Sequence, residues 1–196
     1  MSPADDTKPL IIGIGGTFAP TSSTEQALRI ALDMAGESGA RTMVFGASAL
    51  VALAHYGTPD CARSDAAAGL VAAIRAADGL IIASPGYHGT ISGLVKNAVD
   101  YIEETARDPR PYLDGLPVGL IATAFGWQAA VSTLNTLRTI VHALRGWPTP
   151  LGVAINSSSG PFRDGLCVDE AVTRQLGTLG QQVVDFAQQR QQARPR

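Results

Sequence analysis

Five hydroxyl-bearing residues, Thr17, Thr21, Ser22, Ser23 and Thr24, follow directly on Gly13, Gly15 and Gly16. They stand between the apolar run PLIIGI, Pro9–Ile14, and EQALRIALDMA, whose apolar residues recur at helical spacing. A helix N-terminus leaves N–H groups without intrahelical partners and carries the positive end of the helix dipole. A strand-to-helix turn rich in hydroxyls therefore suits an anion such as a phosphate. The GxxxxGK[ST] loop of nucleoside-triphosphate binders is not present, since no lysine lies between Gly15 and Arg29. Nor does GxGxxG fit, because Phe18 and Ala19 stand where its third glycine is needed. A local use of the same hydroxyls is also open: Ser22 or Ser23 as N-cap, answered by Glu25 or Gln26 in a capping box.

A second stretch, SPGYHGTISGLVKNAVDYIEE, Ser84–Glu104, begins with a turn of different character. Pro85 stiffens it, Gly86 and Gly89 let a ligand approach the backbone, and Tyr87 offers an aromatic face or edge. Phosphate on one loop and a planar ring on its neighbour describe a mononucleotide, and flavin mononucleotide (FMN) has that shape. His88 stands in the same turn, either as a hydrogen-bond donor at the ring edge or as a solvent-facing loop residue. His55 and His142 have no carboxylate or cysteine at ligand spacing, so no metal site is expected.

The elements that must position these turns are legible in the hydrophobic pattern. Strand-length apolar runs at Pro9–Ile14, Arg41–Ala47, Gly79–Ser84, Pro117–Ala124 and Thr149–Asn156 alternate with helical spacing at Ser22–Ser38, Ser64–Asp78, Ser92–Ala106, Leu134–Arg145 and Asp169–Gln189. Residues 48–64 lack a clear period and read as a loop. Such alternation predicts parallel pairing through helical crossovers, and near-continuous apolar strands predict helices on both faces. The expectation is a doubly wound α/β, three-layer sandwich with a five-stranded parallel sheet of order 2-1-3-4-5. In it the first and third strands are neighbours and their loops flank one crevice.

Composition agrees with one domain: 196 residues, 45% hydrophobic, with residues 1–8 and 190–196 expected as flexible tails. A net charge of -2 gives no reason to expect nucleic acid as a partner. Cys61 and Cys167, without CxxC spacing, fit a reducing compartment and argue against structural zinc. The N-terminus lacks a signal pattern and no apolar run reaches membrane-spanning length, so a soluble, cytoplasmic protein with no membrane partner is expected.

From about Leu10 to Asn156 the sequence resembles the NAD(P)H-dependent FMN reductases of flavodoxin-like fold, which include two-component flavin reductases and related quinone, azo-dye and chromate reductases. The family motif GSxRxxSxN stands here as Gly16-Thr17-Phe18-Ala19-Pro20-Thr21-Ser22-Ser23-Thr24. The resemblance implies phosphate contacts from Thr17 and Ser22, with Thr24 in place of the asparagine and Ser23 a further cofactor-binding candidate between them. Ala19 replaces a frequent arginine, which implies weaker, exchangeable flavin. A second motif, TPxYxxxxPGxLKNxxD, is matched by Ser84 to Asp100 and implies that Pro85, Gly86, Tyr87, His88 and Gly89 line the flavin ring. Lys96, Asn97 and Asp100, at i, i+1 and i+4, look mainly structural. Pro117 to Trp127 matches the loop after the fourth strand, placing Thr123 and Gly126 beside the pocket and Trp127 over the ring or on a partner subunit.

The implied activity is hydride transfer from NADPH or NADH to flavin N5, with no catalytic side chain required beyond a minor role for His88, because the flavin carries the chemistry. Arg63, Arg107 and Arg110 are candidates for the 2′-phosphate of NADPH, or ordinary surface arginines. Electrons would pass to a small-molecule acceptor or, through reduced flavin, to a partner monooxygenase. The alternatives are a quinone, azo or metal-ion reductase with tightly bound FMN, and a non-catalytic flavodoxin-like electron carrier. The carrier is disfavoured by the modest net charge and by the absence of its T/SxTGxT loop. The family's habit implies a homodimer or homotetramer with the helices Ser92–Ala106 and Leu134–Arg145 at the interface.

Overall fold

The computed structural model describes residues 7–18, 22–61, 64–163 and 165–193. In chain order its elements are β1 (Leu10–Gly15), α1 (Ser23–Glu37), β2 (Arg41–Phe45), α2 (Ala47–Val51), α3 (Asp65–Ala76), β3 (Gly79–Tyr87), β4 (Thr90–Ile91), α4 (Gly93–Asp100), β5 (Pro117–Ala124), α5 (Trp127–Ala143), β6 (Trp147–Asn156), β7 (Phe162–Arg163), β8 (Leu166–Cys167) and α6 (Glu170–Ala193). The main sheet runs β2-β1-β3-β5-β6, with β4 hydrogen-bonded to the end of β3. Setting the two-residue β4 aside, this is the expected 2-1-3-4-5 order, and every pairing along it is parallel.

Alternation along the central strands divides the core. Ile11, Ile81 and Ile121 face α1 and α6 and pack with Leu28, Leu179 and Val183. Ile12, Leu80, Ile82 and Leu120 face the other way, toward Leu70, Ile74, Val95, Leu137 and Val141 of α3, α4 and α5. Every residue of β5 is buried, the signature of a strand covered on both faces. The edge strand β6 carries Pro148 and Pro150, which cannot donate to a further strand, and between Val118 and Leu120 the single residue Gly119 of β5 stands opposite three of β6, Thr149 to Leu151.

Several boundaries differ from the expectation. Residues 48–64, expected as loop, begin with the last four residues of α2. The helix expected at Leu134–Arg145 starts at Trp127, because its first two turns bury only Ala130 and Thr133 and leave Trp127 and Val131 outside, so no apolar stripe announces them. The helix expected over Ser92–Ala106 is α4 followed by a 3₁₀ segment, Tyr101–Thr105. β3 continues past Ser84 through Pro85, tolerated where β1 has already ended opposite Ala83. α6 reaches Ala193, and Gln191 Nε2 donates to Asp78 Oδ2 at 3.0 Å, so residues 190–193 are helical rather than part of a tail. The β7–β8 hairpin had no sequence signal long enough to read. No described helix is long and apolar enough to cross a membrane.

Candidate functional site

Because β1, β3 and β5 are consecutive in the sheet, their carboxyl-end loops meet at one edge. After β1 the chain buries Gly16, half-buries Thr17 and leaves Phe18 79% exposed. Ala19 and Thr21 lie outside the described residues. Ser22 is the N-cap of α1, its Oγ accepting the Glu25 N–H at 3.2 Å, while Ser23 is the first helical residue. Only half of the expected capping box forms. The Glu25 carboxylate does not turn back to Ser22 but crosses to the next loop, where it accepts the Ala47 N–H at 3.0 Å. The N–H groups of Ser23 and Thr24, in the first turn of α1 directly after the loop of β1, have no helical carbonyl ahead of them. Thr24 is 2% exposed, and its hydroxyl lies 2.5 Å from that of Thr123 at the end of β5, so these two predicted residues meet beneath the crevice.

The second loop is a two-residue hairpin. Tyr87 pairs with Thr90, and the intervening His88 and Gly89 have φ of 51° and 90°, as a type I′ turn requires. Its base is fixed by buried Ser84, whose Oγ accepts the Ser92 N–H at 3.0 Å and donates to the Pro85 carbonyl at 2.9 Å. Ser92 in turn caps α4 by accepting the Val95 N–H. Tyr87 is 51% exposed and His88 and Gly89 are exposed, whereas Pro85 is buried within the strand. Gly86 answers to a protein neighbour: a Cβ there would stand 2.5 Å from Thr133 Oγ1 and 3.3 Å from the Ala129 carbonyl, so glycine lets α5 close on β3.

The third loop, Ala124–Trp127, leaves Phe125 and Trp127 exposed. Gly126 donates its N–H to Asn156 Oδ1 at 2.8 Å, and the same oxygen accepts from the N–H and the hydroxyl of Ser158. Sequence reasoning missed Asn156; the available signal was a lone asparagine closing the strand that neighbours β5.

Other predicted residues resolve into structural roles. Lys96 and Asp100 form an ion pair at 2.6 Å across one turn of α4. Asn97 accepts the Tyr56 N–H and donates to the Ala54 carbonyl, and Tyr101 donates its hydroxyl to that same carbonyl. Tyr56, hydrogen-bonded to Glu104 at 3.0 Å, has its phenol pKa pushed up to about 12, first by burial and then by that carboxylate. Arg110 does not reach the crevice: its guanidinium donates to the Ile74 and Arg75 carbonyls at the end of α3, next to where β3 begins. Arg107 belongs to the same amino-end connection into β5, the opposite edge of the sheet. Both are thereby separated from the crevice they were candidates for, and Arg63 lies outside the described residues. His55 and His142 are exposed, and no cluster of metal-ligating side chains occurs among the described residues.

The donor set suits a mononucleotide: unpaired helix-start amides and hydroxyls on β1's loop for an anion, and exposed aromatic residues on the loops of β3 and β5 for a flat ring. Comparison with known proteins agrees. An FMN-dependent NADPH-azoreductase from Staphylococcus haemolyticus is 38% identical over 85 residues, 43% of this chain and 42% of that protein, so the match spans less than half of the relative's length. The flavoenzyme NAD(P)H:(acceptor) oxidoreductase FerB from Paracoccus denitrificans superposes with a TM-score of 0.75 at 17% identity, covering 92% of this chain and 98% of that one. A flavodoxin, WrbA-like protein from Agrobacterium tumefaciens superposes with a TM-score of 0.61 at 16% identity, covering 93% and 99%. At these identities the superpositions show a flavodoxin-like fold. The model of the NADPH-dependent FMN reductases matches residues 9–160, from the start of β1 past the end of β6 and through all three crevice loops, and the chain belongs to that family.

Proposed function

We propose that this protein binds FMN in the crevice between the loops of β1, β3 and β5 and is an NADPH-dependent reductase acting through it. The observation that carries the reading is the juxtaposition, on neighbouring strands, of the α1 N-terminus and the exposed Tyr87–Gly89 hairpin. Bound FMN would supply the hydride acceptor and pass the electrons on. The chain's own part is to bind and orient. The Ser23 and Thr24 amides, with the Thr17 and Ser22 hydroxyls, hold the phosphate; the hairpin and the Gly126 loop set the ring plane and keep water from one face. Hydride transfer needs ring contact more than a proton donor, so an exposed His88 suffices for any protonation of the acceptor.

Replacing Thr17 by Val together with Ser22 by Ala should weaken FMN by about 1 to 3 kcal/mol per lost bond. Unaltered affinity would move the phosphate elsewhere.

A second reading concerns the acceptor. Phe18, Phe125 and Trp127 are all more than 60% exposed on the crevice loops, an apolar rim that suits a planar quinone or azo compound better than a handover of free reduced flavin to a monooxygenase. Exposed Trp127 and Val131 on α5 also support a homodimer or homotetramer in which α4 and α5 face a partner.

A further inference from the structure

Glu25 is buried, yet as the third residue of α1 it sits where the phosphate is expected to bind, and a second anion there competes for the same helix dipole. Its carboxylate lies directly behind the turn. A Cβ on Gly16 would stand 3.0 Å from Oε2, and one on Gly46 would stand 2.7 Å from Oε1, so the group fills the space between the loops of β1 and β2. Oε2 accepts the Ala47 N–H, and Oε1 accepts from Arg29 Nη2 at 2.7 Å and Nε at 3.2 Å. The carboxylate side chain is 7% exposed against 54% for Arg29, which places the negative member of the pair nearer the turn and the positive member toward solvent.

We propose that the Glu25–Arg29 pair sets how strongly the α1 N-terminus holds the flavin phosphate, and hence the preference for phosphorylated over unphosphorylated flavin. This rests on the FMN reading above. Glu25 acts as a positioning residue: it pins the Gly46–Ala47 loop against Gly16 and, through its charge, limits the net attraction for a dianion. Arg29 offsets that charge. The pair lies behind the turn, so neither side chain has to touch the ligand.

The test is a charge cycle read by binding rather than turnover: FMN and riboflavin affinities of the wild type, Glu25→Gln, Arg29→Gln and the double variant, by flavin fluorescence. Glu25→Gln keeps an oxygen for the Ala47 N–H and unmasks Arg29, so FMN should bind about fivefold tighter with riboflavin within twofold of wild type. Arg29→Gln leaves the carboxylate uncompensated, so FMN should weaken by a similar factor, again without riboflavin. The double variant should return close to wild type. Equal shifts for FMN and riboflavin, or none in either single variant, would overturn the inference and leave the FMN site standing. A wild type that binds neither flavin would overturn the functional reading and the inference together.

Discussion

At the scale of single residues, the groups that matter separate into those that face the ligand and those that hold them. Tyr87 is half exposed at the crevice, and its pairing with Thr90 is made by the backbone, which a truncated side chain leaves in place. Tyr87→Ala should therefore raise the FMN dissociation constant or slow hydride transfer while leaving the thermal midpoint unchanged; unchanged binding and rate would place the ring elsewhere. Tyr56 is of the holding kind. Its phenol is kept protonated in the folded state up to about pH 12 against a usual 10.0, through burial and Glu104. Between those values the unfolded chain loses the proton and the folded one keeps it. Stability is thus untouched below about pH 10 and falls as pH rises toward 12, with Tyr101, also raised by burial, adding to the slope. Tyr56→Phe should make that fall shallower in denaturation measured across this range, and an identical slope would contradict the assignment. The hydroxyls of Thr17 to Thr24 and the aromatic Tyr87 were visible as residue types. Asn156 was not, and Glu25 was legible only as a capping-box partner, because their partners Gly126 and Ala47 lie 30 and 22 positions away and only the fold brings them within reach.

At the scale of elements, what the hydrophobic pattern could reveal was limited to faces that meet the core. β1, β3 and β5 read correctly because they are covered on both sides, and α3 because its apolar stripe is unbroken. The first turns of α5 escaped notice because they present Trp127 and Val131 outward beside the crevice. That start is where the site is built, since α5 closes on β3 across Gly86. Gly86→Ala drives a methyl toward Thr133 Oγ1 and should cost about 1 to 3 kcal/mol in chemical denaturation. Adding Thr133→Ala should recover part of the loss, the non-additivity expected of residues in contact. Full stability in the single variant would mean that α5 can move away from the strand without penalty.

At the scale of the whole molecule, sheet order decides function: only with β1 flanked by β2 and β3, and β5 on the far side of β3, do the hydroxyl turn, the aromatic hairpin and the Gly126 loop share an edge. The alternation of strands and helices implied a doubly wound sheet, the order was expected as the flavodoxin-like one of the two common doubly wound orders, and the crevice followed from it. The arginines were misplaced for the complementary reason, since charge chemistry alone does not say at which end of the sheet a connection lies, and Arg110 caps α3 at the other one. The central claim is that the crevice binds FMN, and equilibrium titration of the purified protein with FMN by fluorescence, followed by NADPH oxidation with added FMN varied, tests it most directly. The account predicts saturable binding of one FMN per chain and NADPH oxidation that requires it, abolished or weakened by Thr17→Val with Ser22→Ala. Absence of saturable binding, with NADPH left unoxidised at any FMN concentration, would contradict it.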